Sequence, residues 1–432
     1  MARGSPTKPD SAASCAARHS LWWLLFGNLV GLYLSLLILF PELQLAQWTY
    51  GRWVPVHLNV QLYGWTSLPL VTWLFVLFEV DRGRLQSWAK AATWAWTAAL
   101  GLGALHWLGG ISSGKIFLDW RGGSLWALVA SQLILWAVLA VAWRQNAPGW
   151  TKLRRYSTLA GLIVLALVPL VLIMASSPAL YPPIDRTTGG PTGSSLQGSA
   201  LVVIGLMLLL PRVAAKARDT RKSWGIWVFF LISWIIFGVA EAMGGTHYDA
   251  HQIGSMLVLL PWVWWLPRDW SGFIWPEGSR IWRGAMFAWW GVLVVTALFM
   301  YQAGVLDRIK FTQALVGHSH LAMAGFTSSF CALLLVLLTG RRIGSNLSVS
   351  LWHAATIIMI ITLAAVGWAE GHDPSWMLAR ESWREWGFII RALCGLVMAW
   401  ASLNWWMERR KIYLKSAPVV NSSPWSFGVV EK

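Results

Sequence analysis

Three histidines stand inside apolar runs of this chain. Two of them lie two residues apart in "VGHSHLAMAGF" (316–326), and the third sits in "PVHLNVQLYGW" (55–65). An ionisable side chain inside a long apolar run is costly unless it has a partner. For an imidazole the natural partner is a metal or a haem iron. Residues two apart on an α-helix point about 200° from one another, so His318 and His320 project to opposite sides and do not readily chelate one ion. A haem iron takes one or two axial imidazoles along its normal. His57 and one of the pair could therefore flank one haem, leaving the other histidine as a single axial ligand to a second.

Other residues could support such a site. Haem propionates call for cations, and the arginine fork matches a carboxylate in bidentate fashion. Arg391 is the one basic residue inside an apolar run; Arg384 stands seven residues earlier on roughly the same helical face, and Arg380 precedes it. Interfacial snorkelling is the competing reading of these arginines. Glu241 is an acid near the end of an apolar run, either functional or a satisfied structural acid. His247 and His251 are four apart and could share a helical face, which suits one ion, but they fall between apolar runs and read better as a hydrogen-bonded cap. His106 and His372 adjoin Gly-rich or acidic loops and read as wet polar residues at helix ends. Cys15, Cys331 and Cys394 form no disulfide framework, and no CxxCH haem-attachment motif occurs.

The elements that must carry these residues are membrane helices. The chain has 432 residues, 56% hydrophobic and 12% charged, with a mean hydropathy of +0.54. Its apolar stretches are too long for a soluble core. They predict twelve spans near 20–44, 55–80, 88–110, 122–143, 157–176, 194–214, 222–243, 249–266, 281–303, 310–339, 351–369 and 386–408. The expectation is an all-α polytopic membrane protein: a cytoplasmic tail 1–19, a twelve-helix haem-binding domain 20–408 and a cytoplasmic tail 409–432. No cleavable signal peptide is expected.

The formal net charge is +16, but its placement speaks of topology. With the N-terminus inside, the tails and alternate loops hold 25 of the 34 Lys and Arg residues. That is the positive-inside bias, so both termini are expected in the cytoplasm, and no nucleic-acid partner is implied. In this orientation His57, His318 and His320 all fall in the outer half of the membrane. Many of the 35 tryptophans cluster at span ends, as in "WVWWLPRDW", where an amphipathic ring suits the interface.

The H-x-H pair in the tenth span, the histidine near the outer end of the second, and the flanking "HLNVQLYGW" and "GHSHLAMAGF" resemble subunit I of the haem–copper oxidase superfamily. The likeness is to the branch holding cbb-type cytochrome c oxidases and nitric oxide reductases. "IIRALCGLVMAW" in the last span and "TGGPTGSSLQGSALV" at the sixth are also similar to that branch. The resemblance implies two b-type haems, with His57 and His320 axial to a low-spin haem and His318 proximal to a high-spin one. It further implies a bacterial-type inner membrane and other respiratory subunits. Electrons would come from a c-type cytochrome or a quinol, pass the low-spin haem, and reduce oxygen or nitric oxide at the high-spin haem.

The chain departs from the family at the second metal. Subunit I holds copper or non-haem iron with one histidine in span six and an adjacent pair in span seven. Here Gln197 stands in span six and Glu241–Ala242 at about the place of the pair. Imidazole nitrogen suits copper, whereas an amide and a carboxylate are harder oxygen donors, so copper is not expected. Nitric oxide reductases use glutamates beside their iron, so non-haem iron is compatible with Glu241 as a ligand or proton carrier, with His247 and His251 as further candidates. A relative that has lost the binuclear centre and only carries electrons is the alternative. A twelve-span transporter is a third reading, on "FEVDRGRLQSW" after span two, where D-R-x-R resembles the loop motif of the major-facilitator type without its opening glycine.

Overall fold

The computed structural model describes residues 10–81, 83–184, 196–218, 224–246, 248–302, 304–373, 375 and 382–413. Among the described residues, ten helices are long and apolar enough to cross a membrane: α1 (Ala12–Leu39), α2 (Tyr50–Leu77), α4 (Gly122–Gly149), α5 (Lys152–Ser176), α6 (Gln197–Ala214), α7 (Trp224–Met243), α9 (Glu277–Met300), α10 (Gln313–Thr339), α11 (Asn346–His372) and α12 (Trp383–Glu408). Two further runs fill the remaining expected places. α3 (Arg84–Leu108) is of spanning length but carries Arg84 and Lys90. α8 (250–271) is broken, an α-helix Ala250–Met256 joined through a 3₁₀ turn Leu257–Leu259 to a second α-helix Leu260–Ser271 with Pro261 in its first turn. Proline lacks the N–H that would continue the ladder, which fits the break there.

α1 begins eight residues before its expected start. Ser11 caps it, accepting the Ser14 N–H at 3.0 Å, and Asp81 accepts the Ala12 N–H at 2.7 Å. Helix-start groups that would otherwise be unpaired are thus satisfied, and His19 falls inside the helix, bonded to Thr97 at 2.7 Å. The acids of the "FEVDRGR" loop have structural work: Asp81 caps α1, and Glu79 pairs with Arg154 at 2.8 Å.

The chain forms two compact units. One holds Met1–Pro183, Leu334–Trp352 and Ala392–Lys432; the other holds Ile184–Leu333 and His353–Arg391. The first is built on α1 to α5 around a core that includes Trp23, Leu34, Val60, Phe75, Trp107, Trp120 and Leu139. In the second, Trp262, Trp270, Met286 and Trp290 are buried, and the short strands Lys216–Ala217 and Phe273–Ile274 pair antiparallel. Arg212 makes two 2.8 Å bonds to Asp269 there.

The two histidine helices share an irregularity. α2 is α-helical over Tyr50–Asn59, then a π-helix over Val60–Thr66. α10 is α-helical over Gln313–His320, then a π-helix over Leu321–Thr327. In each, a serine after the wide turn donates to the carbonyl five residues back, Ser67 to Leu62 and Ser328 to Met323, both at 2.9 Å. A glycine in each wide turn lies against a tryptophan of the preceding span: a Cβ on Gly64 would stand 2.5 Å from Trp23, and one on Gly325 would stand 2.7 Å from Trp289. π segments recur at functional sites; the one in α10 directly follows His320, and the one in α2 begins three residues after His57.

Candidate haem-ligand sites

His57 sits on α2 against α1. Its Nδ1 lies 2.8 Å from the carbonyl oxygen of Gly27. A carbonyl only accepts, so Nδ1 carries the proton and Nε2 keeps the lone pair. Gly31, one turn further along α1, makes room for the ring: a Cβ there would stand 2.7 Å from His57 Cε1. Below it Gln61, one turn after His57, donates to Asn28 at 3.0 Å. The polar face of α2 is thus seated on a Gly27–Gly31 groove.

His320, in the other unit, has the same protonation pattern. Its Nδ1 lies 2.8 Å from the carbonyl of Val316, one turn earlier on the same helix, so again Nε2 keeps the lone pair. Metal-bound histidines characteristically donate their second ring N–H to a carbonyl or carboxylate, which fixes the tautomer and raises ligand basicity. His57 and His320 therefore both fit an iron at Nε2. His318 is half-buried, and among the described residues its ring makes no hydrogen bond.

Around the head of α10, Arg391 donates from Nη1 to Gln313 Oε1 at 2.8 Å, and Glu370 accepts the Gln313 backbone N–H at 2.6 Å. Arg391 is thus tied to the first residue of the histidine helix. Arg384 is half-buried on α12, and Arg380 lies outside the described residues.

Of the residues expected at the second metal, the described ones are engaged elsewhere or exposed. Gln197 is 6% exposed and closed on Ser255: its Nε2 donates to the Ser255 carbonyl at 3.0 Å, and Ser255 Oγ donates to its Oε1 at 2.7 Å. Glu241 is exposed near the end of α7. His251 uses Nε2 on the Gly244 carbonyl at 2.8 Å, capping the corner before α8, and His247 lies outside the described residues. Among the described residues, no group of three or more His, Cys, Asp or Glu side chains is placed to hold a metal ion.

Outside the spans, the loop 109–121 is folded inward. Asp119 is buried and accepts from Asn59, two residues after His57, at 3.1 Å and from Ser112 at 2.7 Å. The N–H groups of Gly114 and Lys115 also donate to its carboxylate. Burial nevertheless holds this carboxyl above its ordinary value. Lys115 is buried too, donating to the carbonyls of Ala175 and Ser177 and lying 4.4 Å from the Tyr181 ring centre; burial pushes its ammonium down.

Sequence reasoning passed over two features. The groove for His57 is written as G-x-x-x-G at 27–31, the small-residue spacing that lets membrane helices approach closely. Glu370 is a buried acid at the end of an apolar span, a signal in its own right.

No protein-family model matches the chain. A curated protein named cytochrome c oxidase subunit 1 homolog, from Agrobacterium tumefaciens (strain T37), is 21% identical over an alignment covering 90% of this chain and 78% of that protein. Among solved structures, a heme-copper terminal oxidase dimer determined by cryo-EM matches with a TM-score of 0.58 and 13% identity, covering 95% of this chain and 86% of that one.

Proposed function

We propose that the chain is a member of the haem–copper oxidase subunit I superfamily, supported by its fold and by 21% identity to a curated relative along most of its length, and that it is the haem-bearing subunit of a membrane respiratory complex. His57 and His320 would hold a low-spin b-type haem and His318 a second haem. The observation that carries this reading is the shared tautomer: both rings place Nδ1 against a backbone carbonyl, which puts the lone pair on Nε2, the pattern of metal-bound histidines. When bound, haem supplies one-electron chemistry, taking electrons from a c-type cytochrome or a quinol and delivering them to oxygen or nitric oxide. The chain's own residues do the positioning. Gly27 and Val316 hold the imidazoles in one tautomer, Gly31 lets the His57 ring lie flat against α1, and Arg391, with Arg384 and Arg380, offers cations to propionates. A bacterial-type inner membrane with both termini in the cytoplasm completes the proposal, supported by the distribution of Lys and Arg.

A second reading, that the chain carries electrons without a binuclear centre, is favoured by one observation. Gln197 is locked to Ser255 through both amide atoms, which leaves neither atom free to approach a metal. The transporter reading has no comparable support, because Glu79 and Asp81 are occupied by Arg154 and the start of α1.

Metal analysis of the purified protein beside a pyridine haemochrome assay separates the readings. Protohaem with less than stoichiometric copper is expected. Non-haem iron near one per chain would point to nitric oxide chemistry with Glu241, and haem alone to the electron carrier. Copper near one per chain would restore an ordinary oxidase, and absence of protohaem would sink the proposal.

A further inference from the structure

We propose that Glu370 is a positioning residue for the histidine pair: its carboxylate anchors the first turn of the helix that carries His318 and His320. The consequence for haem rests on the reading above; the anchoring itself does not.

The α-helical part of α10 that carries the pair is only eight residues long, Gln313–His320, and it ends in the π-helix Leu321–Thr327. His318 and His320 stand about 7.5 and 10.5 Å along the axis from Gln313, at 1.5 Å rise per residue. A segment this short, interrupted at its far end by a change of hydrogen-bond register, takes its position largely from its near end and its neighbours. At the near end, N–H groups of the first turn have no partner within the helix. Thr312 Oγ1 accepts from Ala314 at 3.2 Å, and Glu370 Oε2 accepts from Gln313 at 2.6 Å.

Three further observations converge on Glu370. A carboxylate at a helix N-terminus also meets the positive end of the helix dipole. Gln313 is held from its other side by Arg391 through its side-chain oxygen at 2.8 Å, so an anion from α11 and a cation from α12 grip one residue. Glu370 is 8% exposed and Arg391 7%, and such charge-assisted bonds strengthen away from water. Finally, α11 is shaped to receive this backbone around the acid. A Cβ on Gly367 would overlap the Ala314 nitrogen, and one on Gly371 would overlap the Arg308 carbonyl oxygen. One turn along α10, Gly317 continues the contact, its own Cβ position lying 3.1 Å from Leu363. Glu370 thus closes the docking face between α11 and the histidine segment with a charged contact.

The test is amide hydrogen exchange of the full chain in detergent, read at residues 313–317, beside the low-spin haem spectrum. Glu370→Leu removes the acceptor, and first-turn exchange should rise about tenfold or more, the worth of a hydrogen bond to a charged group. Glu370→Gln keeps an acceptor but loses the charge and should show a rise of about fivefold. Should the leucine variant not fold, the glutamine variant alone decides. Glu385→Leu, on the exposed first turn of α12, should leave exchange at 313–317 unchanged. With haem bound, the low-spin signal should weaken in the order wild type, Gln, Leu. Wild-type exchange at 313–317 in Glu370→Gln would overturn the proposal, whatever the haem content. A wild-type protein without haem would sink the functional reading and leave the exchange result to judge Glu370.

Discussion

Gly31→Ala should disturb His57 more than any other single added methyl. The new Cβ would stand 2.7 Å from His57 Cε1 and 3.1 Å from Nδ1, against an ordinary carbon contact of about 3.5–4.0 Å. The ring must retreat by roughly 1 Å, which stretches the 2.8 Å bond from Nδ1 to the Gly27 carbonyl beyond hydrogen-bonding range. That loss costs about 0.5–1.5 kcal/mol, and the overpacking about 1–3 kcal/mol. Replacing a helical glycine with alanine returns about 1 kcal/mol, so the net destabilisation is about 0.5–3.5 kcal/mol. Gly101→Ala in α3 is the matched control, since a Cβ there meets nothing within 4 Å and only the helix-propensity gain remains. Thermal unfolding in detergent should rank Gly31→Ala below wild type and Gly101→Ala at or above it. With the imidazole displaced by an atom's radius, the low-spin haem spectrum should fade in Gly31→Ala alone. A Gly31→Ala protein that melts with the control and keeps the wild-type spectrum would refute the placement of His57 in the α1 groove.

If Arg391 clamps a haem propionate as proposed, Arg391→Leu should loosen the low-spin haem and lower its midpoint potential, because removing a nearby cation favours the ferric state; an unchanged redox titration would leave Arg391 only its structural bond to Gln313. The Asp119 carboxyl has its folded-state value raised above the ordinary 3.8 by burial, so the folded chain holds that proton more tightly than the unfolded chain. Its contribution to stability is full below pH 3.8 and is lost as pH rises through the raised folded value. Asp119→Asn should flatten that part of the melting-temperature profile, and a profile of unchanged slope would show that another group sets it.

Hydropathy and charge alone determined that this is a helical membrane protein, because the length of an apolar run and the side on which Lys and Arg fall are local properties fixed by the bilayer. The same local reading picked out His57, His318 and His320, since a rare polar residue in an apolar run is visible without any neighbour. It also separated His318 from His320, because helical direction follows from spacing. What it misjudged were boundaries decided by distant atoms: α1 starts at Ala12 because Asp81, 69 residues away, satisfies its first N–H. Tertiary structure alone decided the chemistry of each candidate. Gln197 and Glu241 look alike in sequence as polar stand-ins for metal ligands, yet one is closed on Ser255 and the other is exposed. The tautomers of His57 and His320 depend on which carbonyl lies against Nδ1. For His57 that carbonyl is 30 residues earlier on another helix, and Gly31 becomes a site residue only because that ring lies on it. Glu370 and Arg391 are separate charges along the chain and become one device only where both reach Gln313. Hydrogen bonds and close contacts are set at separations of about 3 Å, and distance at that scale is a property of packing that no order of residues displays.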